Sequence, residues 1–376
     1  MRSNSPFAHP YTLAAILLLT GFLPRVPSTT LPSATPTPTI QNPKSETQNP
    51  KIGMHTRLTD EPDPEKIRRE FRMLREMGGT WATEFFPWPY IQPTDRNRFD
   101  WEHADLVADA ARSEGITLLA RIDAVPEWAR PQRTTWKYLD REHYADYGDF
   151  VFAFVSHFKG RISHYIIWNE PNISAEWGQR SPDPVAYTEL LKIAYGRAKQ
   201  ADPNAIVLLA GLAPTLEREG SRVALNDLVY LEKMYQAGAA SYFDVVAAHT
   251  YGLTVSPDDP PAPNKLNFAR VEELYKIMQS HGDGAKDVYI TEGGWNDSPR
   301  WSFAVKPYQR VEYTIEAYWK AAEEWPWCKA VTLWAFRYPR PAYTYFDNYT
   351  FLTPDFTPKA VYLEVQEYAR GLGIRY

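Results

Sequence analysis

From Lys51 to the C-terminus the chain repeats one pattern: a short apolar run, a break, then a stretch with helical spacing of its apolar residues. The runs that read as strands are Ile52–His55, Thr80–Phe86, Ile116–Ile122, Tyr165–Trp168, Ala205–Ala210, Phe243–Ala248, Val288–Thr291 and Ala330–Ala335. Between and after them lie helical stretches: Pro64–Met77, Trp101–Ser113, Tyr144–Phe158, Pro184–Ala201, Leu225–Ala237, Val271–His281, Tyr308–Glu324 and Ala360–Arg370. In the first of these, Ile67, Phe71, Leu74 and Met77 fall on one face, and Gly78 and Gly79 end it. Eight strand–helix units in roughly 325 residues are what a (β/α)8 TIM barrel requires. A doubly wound sheet would use fewer strands and a glycine-rich first turn, whereas the first turn here is His55-Thr56-Arg57. The expectation is a single-domain barrel over residues 51–376.

Residues 1–26 read differently. Arg2 precedes an apolar run, Thr12–Phe22, that is short for a membrane span of roughly 20 residues and suits a signal-peptide core. No small-x-small cleavage site follows it, so an uncleaved anchor stays open. Residues 27–50 are rich in Pro, Ser and Thr and read as a linker. The expectation is an exported protein, secreted or tethered at a membrane. A net charge of -5 argues against a nucleic-acid partner. One cysteine, Cys328, allows neither an intrachain disulfide nor a thiolate zinc cluster.

In a barrel the chemistry sits at the carboxyl ends of the strands. The fourth run ends in Asn169-Glu170 before Pro171, which cannot donate to a ladder and biases Glu170 toward extended backbone. The seventh leads into Glu292-Gly293-Gly294. Strands four and seven face each other across a barrel mouth, so Glu170 and Glu292 are the candidate catalytic pair. Glycoside hydrolysis needs two carboxyls, one protonated for the leaving oxygen and one ionised for the developing oxocarbenium ion. Glu84 and Asp123 end strands two and three, His249-Thr250-Tyr251 follows strand six, and Trp334 closes strand eight. Asp123 could bind a sugar hydroxyl or pair with Arg121. Of the loop tryptophans, Trp88, Trp128 and Trp295 lie nearest the strand ends and are the preferred sugar platforms.

Trp168-Asn169-Glu170-Pro171-Asn172 resembles the strand-four signature of the clan A retaining glycoside hydrolases, the 4/7 superfamily. The likeness continues at His249-x-Tyr251, Glu292, Trp334 and the closing Thr357-Pro358-Lys359-Ala360, which resembles cellulase-like members. The resemblance implies a (β/α)8 enzyme that hydrolyses β-glycosidic bonds by double displacement, without metal or cofactor, on a polysaccharide or oligosaccharide. It implies Glu170 as acid/base, Glu292 as nucleophile and Asn169 on the sugar 2-hydroxyl. His249 or Tyr251 would orient the nucleophile, and Trp334 would floor the sugar site. In one respect the sequence departs: Thr83 and Glu84 stand where many members carry a strand-two arginine. Arg57 and Arg121 are both candidates to supply that charge. Two other readings compete: a carbohydrate-binding barrel without catalysis, and a metal-dependent hydrolase. The latter would want a His-x-His after strand one, where only His55 stands.

Overall fold

The computed structural model describes residues 51–372. Within them eight parallel strands close in sequence order, β1 to β8, into a barrel. They are β1 (Ile52–His55), β2 (Trp81–Pro87), β3 (Thr117–Asp123), β4 (His164–Ile167), β5 (Ile206–Leu209), β6 (Val245–Tyr251), β7 (Val288–Gly294) and β8 (Cys328–Trp334). The ring is completed by β1 against β8, with Met54 opposite Leu333 and His55 opposite Trp334. Around it run α1 (Pro64–Met77), the single turn α2 (Trp88–Ile91), α3 (Glu102–Ser113), α4 (Tyr144–Phe158), α5 (Pro184–Ala201), α6 (Asp227–Gln236), α7 (Val271–Ser280), α8 (Pro307–Glu323) and α9 (Ala360–Gly371).

Helix ends follow from local chemistry. Asp63 and Asp183 cap α1 and α5 by accepting from backbone N–H groups of the first turn, each followed by a proline at a position that needs no donor. Gly78 ends α1 in the left-handed region at φ 105°, a conformation open to a residue without Cβ.

Two apolar layers share the strands. The larger core lies between barrel and helices. A smaller cluster, Trp81, Leu119, Ile166, Leu208, Val245, Ala247, Tyr289 and Ala330, plugs the barrel interior. Side chains alternate along a strand, so positions two or four beyond each plug residue also face inward, nearer the carboxyl end. Among those positions are Thr83, Arg121, Asp123, His249, Tyr251, Thr332 and Trp334, polar residues and aromatic rings. The interior is thus apolar at the bottom and chemical at the top.

Two local irregularities adjust this alternation. Ala248 pairs with Ile290 but His249 pairs with Glu292, so Thr291 is an extra residue on β7. That bulge sets Glu292, rather than Thr291, beside His249. At the end of β4 Trp168 and Glu170 take positive φ, 76° and 38°. Proline had suggested extended backbone at Glu170; the structure corrects this, because the chain turns sharply out of the sheet. Hydrogen bonds from Trp168 N to Ile122 O and from Glu170 N to Gly211 O, both 3.0 Å, hold the turn. By it Trp168 swings outward onto Tyr147 and Trp177, while Asn169 and Glu170 reach the barrel mouth.

Among the described residues no helix is long and apolar enough to cross a membrane. The expected signal or anchor segment and the linker, residues 1–50, lie outside the described residues.

Candidate active site

Glu170 and Glu292 meet across the barrel mouth. One carboxylate oxygen of each, with a ring nitrogen of His249, form a group whose atoms all lie within 4.8 Å of one another. All three side chains are 3–4% exposed. Each carboxyl has its own set of partners, and the sets differ in kind.

Glu292 is held by donors. Nη1 of Arg121 donates to its Oε1 at 2.8 Å, and the Tyr251 hydroxyl donates to its Oε2 at 3.1 Å. Arg121 also donates to Asn169 Oδ1 at 3.2 Å and contacts His55 Nε2 at 3.3 Å. His55 Nδ1 lies 2.7 Å from its neighbour's carbonyl, Thr56 O, and so carries the ring proton there; Nε2 is left as an acceptor for Arg121. Burial and then the charges of Arg121 and Arg57 push the His55 pKa well down, so its ring is neutral. The charge expected from a strand-two arginine therefore comes from β3. On β2 itself, Thr83 meets the Thr332 hydroxyl at 2.7 Å, and Glu84 accepts from Thr56, Leu58 N and Thr59. Glu84 fastens the β1–α1 loop and does not enter the site.

Glu170 is bound to an imidazole. His249 Nδ1 lies 2.8 Å from Glu170 Oε1 and 3.8 Å from Glu292 Oε2. Burial raises the Glu170 pKa, and the charges of Glu292 and Glu176 raise it further against the opposing pull of His249. For His249 burial works the other way, but the charges of Glu292 and Glu170 outweigh it and raise its pKa. Both members of the pair bind a proton more tightly than they would in water, so the pair holds one beside the cleft. The Tyr251 hydroxyl is pushed well up, first by burial and then by Glu292, and stays a donor.

Two carboxyls in unlike surroundings, one clamped by a cation and one sharing a proton, are arranged for acid and nucleophile roles. The same two carboxylates and His249 could chelate a divalent ion by donor type. Arg121 and Tyr251 already cap both oxygens of Glu292, however, and an ion there would meet the guanidinium charge.

The remaining candidates divide. Trp334 sets its ring edge-on to His55 at 4.6 Å, donates from Nε1 to the Tyr338 hydroxyl and lies within 5.1 Å of the Arg57 guanidinium. Asp123 is fully buried between Arg121, 3.0 Å away, and Lys137. Trp88 and Trp295 are corrections. Trp88 is 0% exposed, stacked on Phe150, and donates to Gln92; Trp295 is 2% exposed, packed on Phe268, and donates to Val255 O. Both belong to the outer core and offer no face to a sugar. Trp128 is half-buried, edge-on to Trp88 and bonded to Gln92 O.

Three residues at the site escaped the sequence reading. Lys137, in the loop after β3, bridges Asp123 and Glu176, with Glu176 Oε2 at 2.8 Å. Glu176, in the loop after β4, also accepts from Asn169 Nδ2 at 3.3 Å. A Cβ at Gly211 would stand 2.2 Å from His249 Nε2, so the imidazole sits where only a glycine leaves room. Nothing in the sequence marks the first two beyond their place in loops after strands; Gly211, just past β5, could have been suspected as a close approach.

No protein-family model and no curated protein sequence matches the chain. Solved structures do. A family 39 glycoside hydrolase from Bacteroides cellulosilyticus WH2 superposes with a TM-score of 0.67 at 20% identity, over 85% of this chain and 63% of that one. A GH39 β-xylosidase from Caulobacter crescentus gives a TM-score of 0.61 at 18% identity, over 85% and 70%. A GH5_18 protein from Streptomyces cattleya, solved with GlcNAc, gives 0.62 at 16%, over 87% and 81%. The chain thus spans about two thirds of the length of the first two. What it shares with these glycoside hydrolases is the eight-stranded barrel fold.

Proposed function

We propose that the chain is a retaining β-glycoside hydrolase of the clan A type, acting on a polysaccharide or oligosaccharide. The observation that carries this reading is the spacing and unlike wiring of Glu170 and Glu292. Retaining enzymes set their two carboxyls about 5–5.5 Å apart, and inverting ones leave about 6.5–9.5 Å for a water. One oxygen of Glu170 lies within 4.8 Å of one oxygen of Glu292, an approach close enough for the former. The likeness in fold to known glycoside hydrolases supports the same reading, and the intact pair with its donors disfavours a barrel that only binds sugar.

In the first step Glu292, held in place by Arg121, attacks the anomeric carbon, and its C–O bond forms as the bond to the leaving oxygen breaks. Glu170 gives its proton to that oxygen. The product is a glycosyl ester of Glu292 with inverted configuration. In the second step Glu170, now a carboxylate, takes a proton from water; the water oxygen attacks the anomeric carbon and releases Glu292, restoring the starting configuration. Asn169, fixed by Arg121 on one side and Glu176 on the other, presents its amide to the sugar 2-hydroxyl.

The test is the configuration of the first-formed sugar, followed by NMR on an aryl β-glycoside. The β-anomer appearing first agrees with this mechanism; the α-anomer first would overturn it. We further propose export, secreted or tethered at a membrane, on the apolar run Thr12–Phe22 and the Pro/Ser/Thr-rich stretch after it. A mature protein found in the cytosol with residues 1–26 intact would contradict that.

A further inference from the structure

Beside Asn169 the site continues into a polar group whose other members the two-carboxylate mechanism does not use. It runs Asn169 Nδ2, Glu176 Oε2, Lys137 Nζ and Asp123 Oδ1, with each atom in contact with the next. Its side chains are nearly buried: Asp123 is 0%, Lys137 9% and Glu176 14% exposed. They come from three different places, the end of β3, the loop after β3 and the loop after β4. An ion pair assembled from separate loops in a cleft, with desolvation opposing it, gives weak stabilisation for its cost. Phe85 and the Trp136 ring lie under the ammonium, at 5.3 and 5.6 Å, and fix where it can go. Asp123 Oδ2 has no hydrogen bond. Its partner is the Arg121 guanidinium, whose Nε lies 3.0 Å away as an ion pair. The group is rigid and polar, as a hydroxyl-binding surface would be.

Resting on the glycosidase reading, we propose that Lys137 and Glu176, backed by Asp123, clamp the 3- and 4-hydroxyls of the sugar whose anomeric carbon meets Glu292, and that the sugar they select is uncharged. Asn169 takes the 2-hydroxyl; Glu176 and Lys137 follow it in the chain of contacts, as the 3- and 4-hydroxyls follow the 2-hydroxyl around the ring. A carboxylate accepts from a hydroxyl and an ammonium donates to its neighbour, so the pair matches a vicinal diol. The charge count sets the second half of the proposal. The two cations, Arg121 and Lys137, face three carboxylates, Asp123, Glu176 and Glu292, and both are already committed to them. A sugar bearing its own carboxylate would add repulsion to this group and find no cation in it to balance.

The experiment compares wild type, Lys137→Met and Glu176→Gln on whichever aryl β-xyloside, β-glucoside or β-mannoside the wild type cleaves fastest. The same comparison is made on its 3-deoxy and 4-deoxy forms and on the aryl β-glucuronide. Wild-type kcat/KM is expected to fall roughly 10- to 100-fold on removal of either hydroxyl, the range for hydrogen bonds to charged groups. Each variant should lose a similar factor on the parent sugar but little more on the deoxy sugar, so that the two losses fail to multiply. The glucuronide should be the poorest substrate.

If the variants lower every substrate equally and leave the deoxy penalty whole, the pair is only structural. A wild type indifferent to the deoxy sugars, or faster on the glucuronide, overturns the proposal without needing a variant. Should Lys137→Met fail to fold, Lys137→Arg keeps the ion pairs and must still change the deoxy penalty. A protein that cleaves none of these and takes no label from fluorinated glycosides would bring down the glycosidase reading itself, and the clamp with it.

Discussion

Arg121 and Glu292 stand 171 positions apart, on β3 and β7, yet Nη1 of the one donates to Oε1 of the other at 2.8 Å inside the barrel. Both side chains are under a tenth exposed. The guanidinium lies 4.8 Å over the Phe85 ring and also pairs with Asp123, so its direction is fixed before any ligand arrives. On the proposed nucleophile, a preset cation costs no reorganisation during reaction.

Replacing that cation should therefore separate catalysis from binding. Arg121→Met is expected to lower kcat about 10²- to 10³-fold, the range for losing one preorganised electrostatic partner. KM should change little. It leaves Asp123 and Glu292 buried without their shared partner, which should cost about 3–5 kcal/mol of stability. Arg121→Lys keeps charge but loses the planar fork, and should fall between. Steady-state kinetics with urea melts check both; a normal kcat in Arg121→Met would refute the role.

The shared proton of Glu170 and His249 gives a pH signature. Glu170 must be protonated to serve the leaving oxygen, so activity is lost as pH rises through its raised pKa. His249 draws that pKa down. His249→Asn removes the pull, so the alkaline limb of kcat/KM should move to higher pH while the maximum falls. A limb that moves to lower pH would contradict the assignment.

Gly211→Ala tests how closely His249 is seated. A Cβ placed 2.2 Å from Nε2 must push the ring off Glu170. We expect kcat to drop by on the order of 10²-fold, as small displacements of catalytic groups do. The alkaline limb should move in the same direction as in His249→Asn. Full activity would mean that His249 is free to shift.

Stability has its own pH dependence far from the chemistry. Arg337, fully buried, donates to Glu70 Oε2 at 2.7 Å and Glu61 Oε2 at 2.8 Å, joining α1 to the loops after β1 and β8. Burial, against the pull of Arg337, raises the Glu70 pKa from 4.5 to about 7. The folded state then binds a proton that the unfolded state has released, so stability falls as pH rises from 4.5 towards 7, by on the order of 3 kcal/mol at most. Glu70→Gln should flatten that slope in urea melts at pH 5, 6 and 7. An unchanged slope would place the linkage elsewhere.

The barrel was legible because its signal is periodic. Ile67, Phe71, Leu74 and Met77 announce α1, and Pro64–Met77 and Tyr144–Phe158 match their helices end for end. The strand ends were harder, and for a reason tied to function. Strands six and seven were expected to stop at Ala248 and Thr291, but run on to Tyr251 and Gly294. Polar residues read as the end of a strand, whereas here they form the polar rim of the barrel interior. Glu170 and Glu292 could be named from their strands alone. The partner of Glu292 could not, because Arg57 and Arg121 differ only in which way a folded strand turns them. Trp88 and Trp295 failed for the same cause: nearness to a strand end does not say whether an indole faces the cleft or the helices.

Attack by Glu292 as the nucleophile is the step on which the proposed chemistry depends. The direct measurement is intact-mass spectrometry after incubation with a panel of 2-deoxy-2-fluoro β-glycosides, followed by peptide mapping. One glycosyl adduct per chain is expected, on the peptide carrying Glu292 and lost in Glu292→Gln. An adduct on any other residue, or none with every sugar despite measurable hydrolysis, would contradict it.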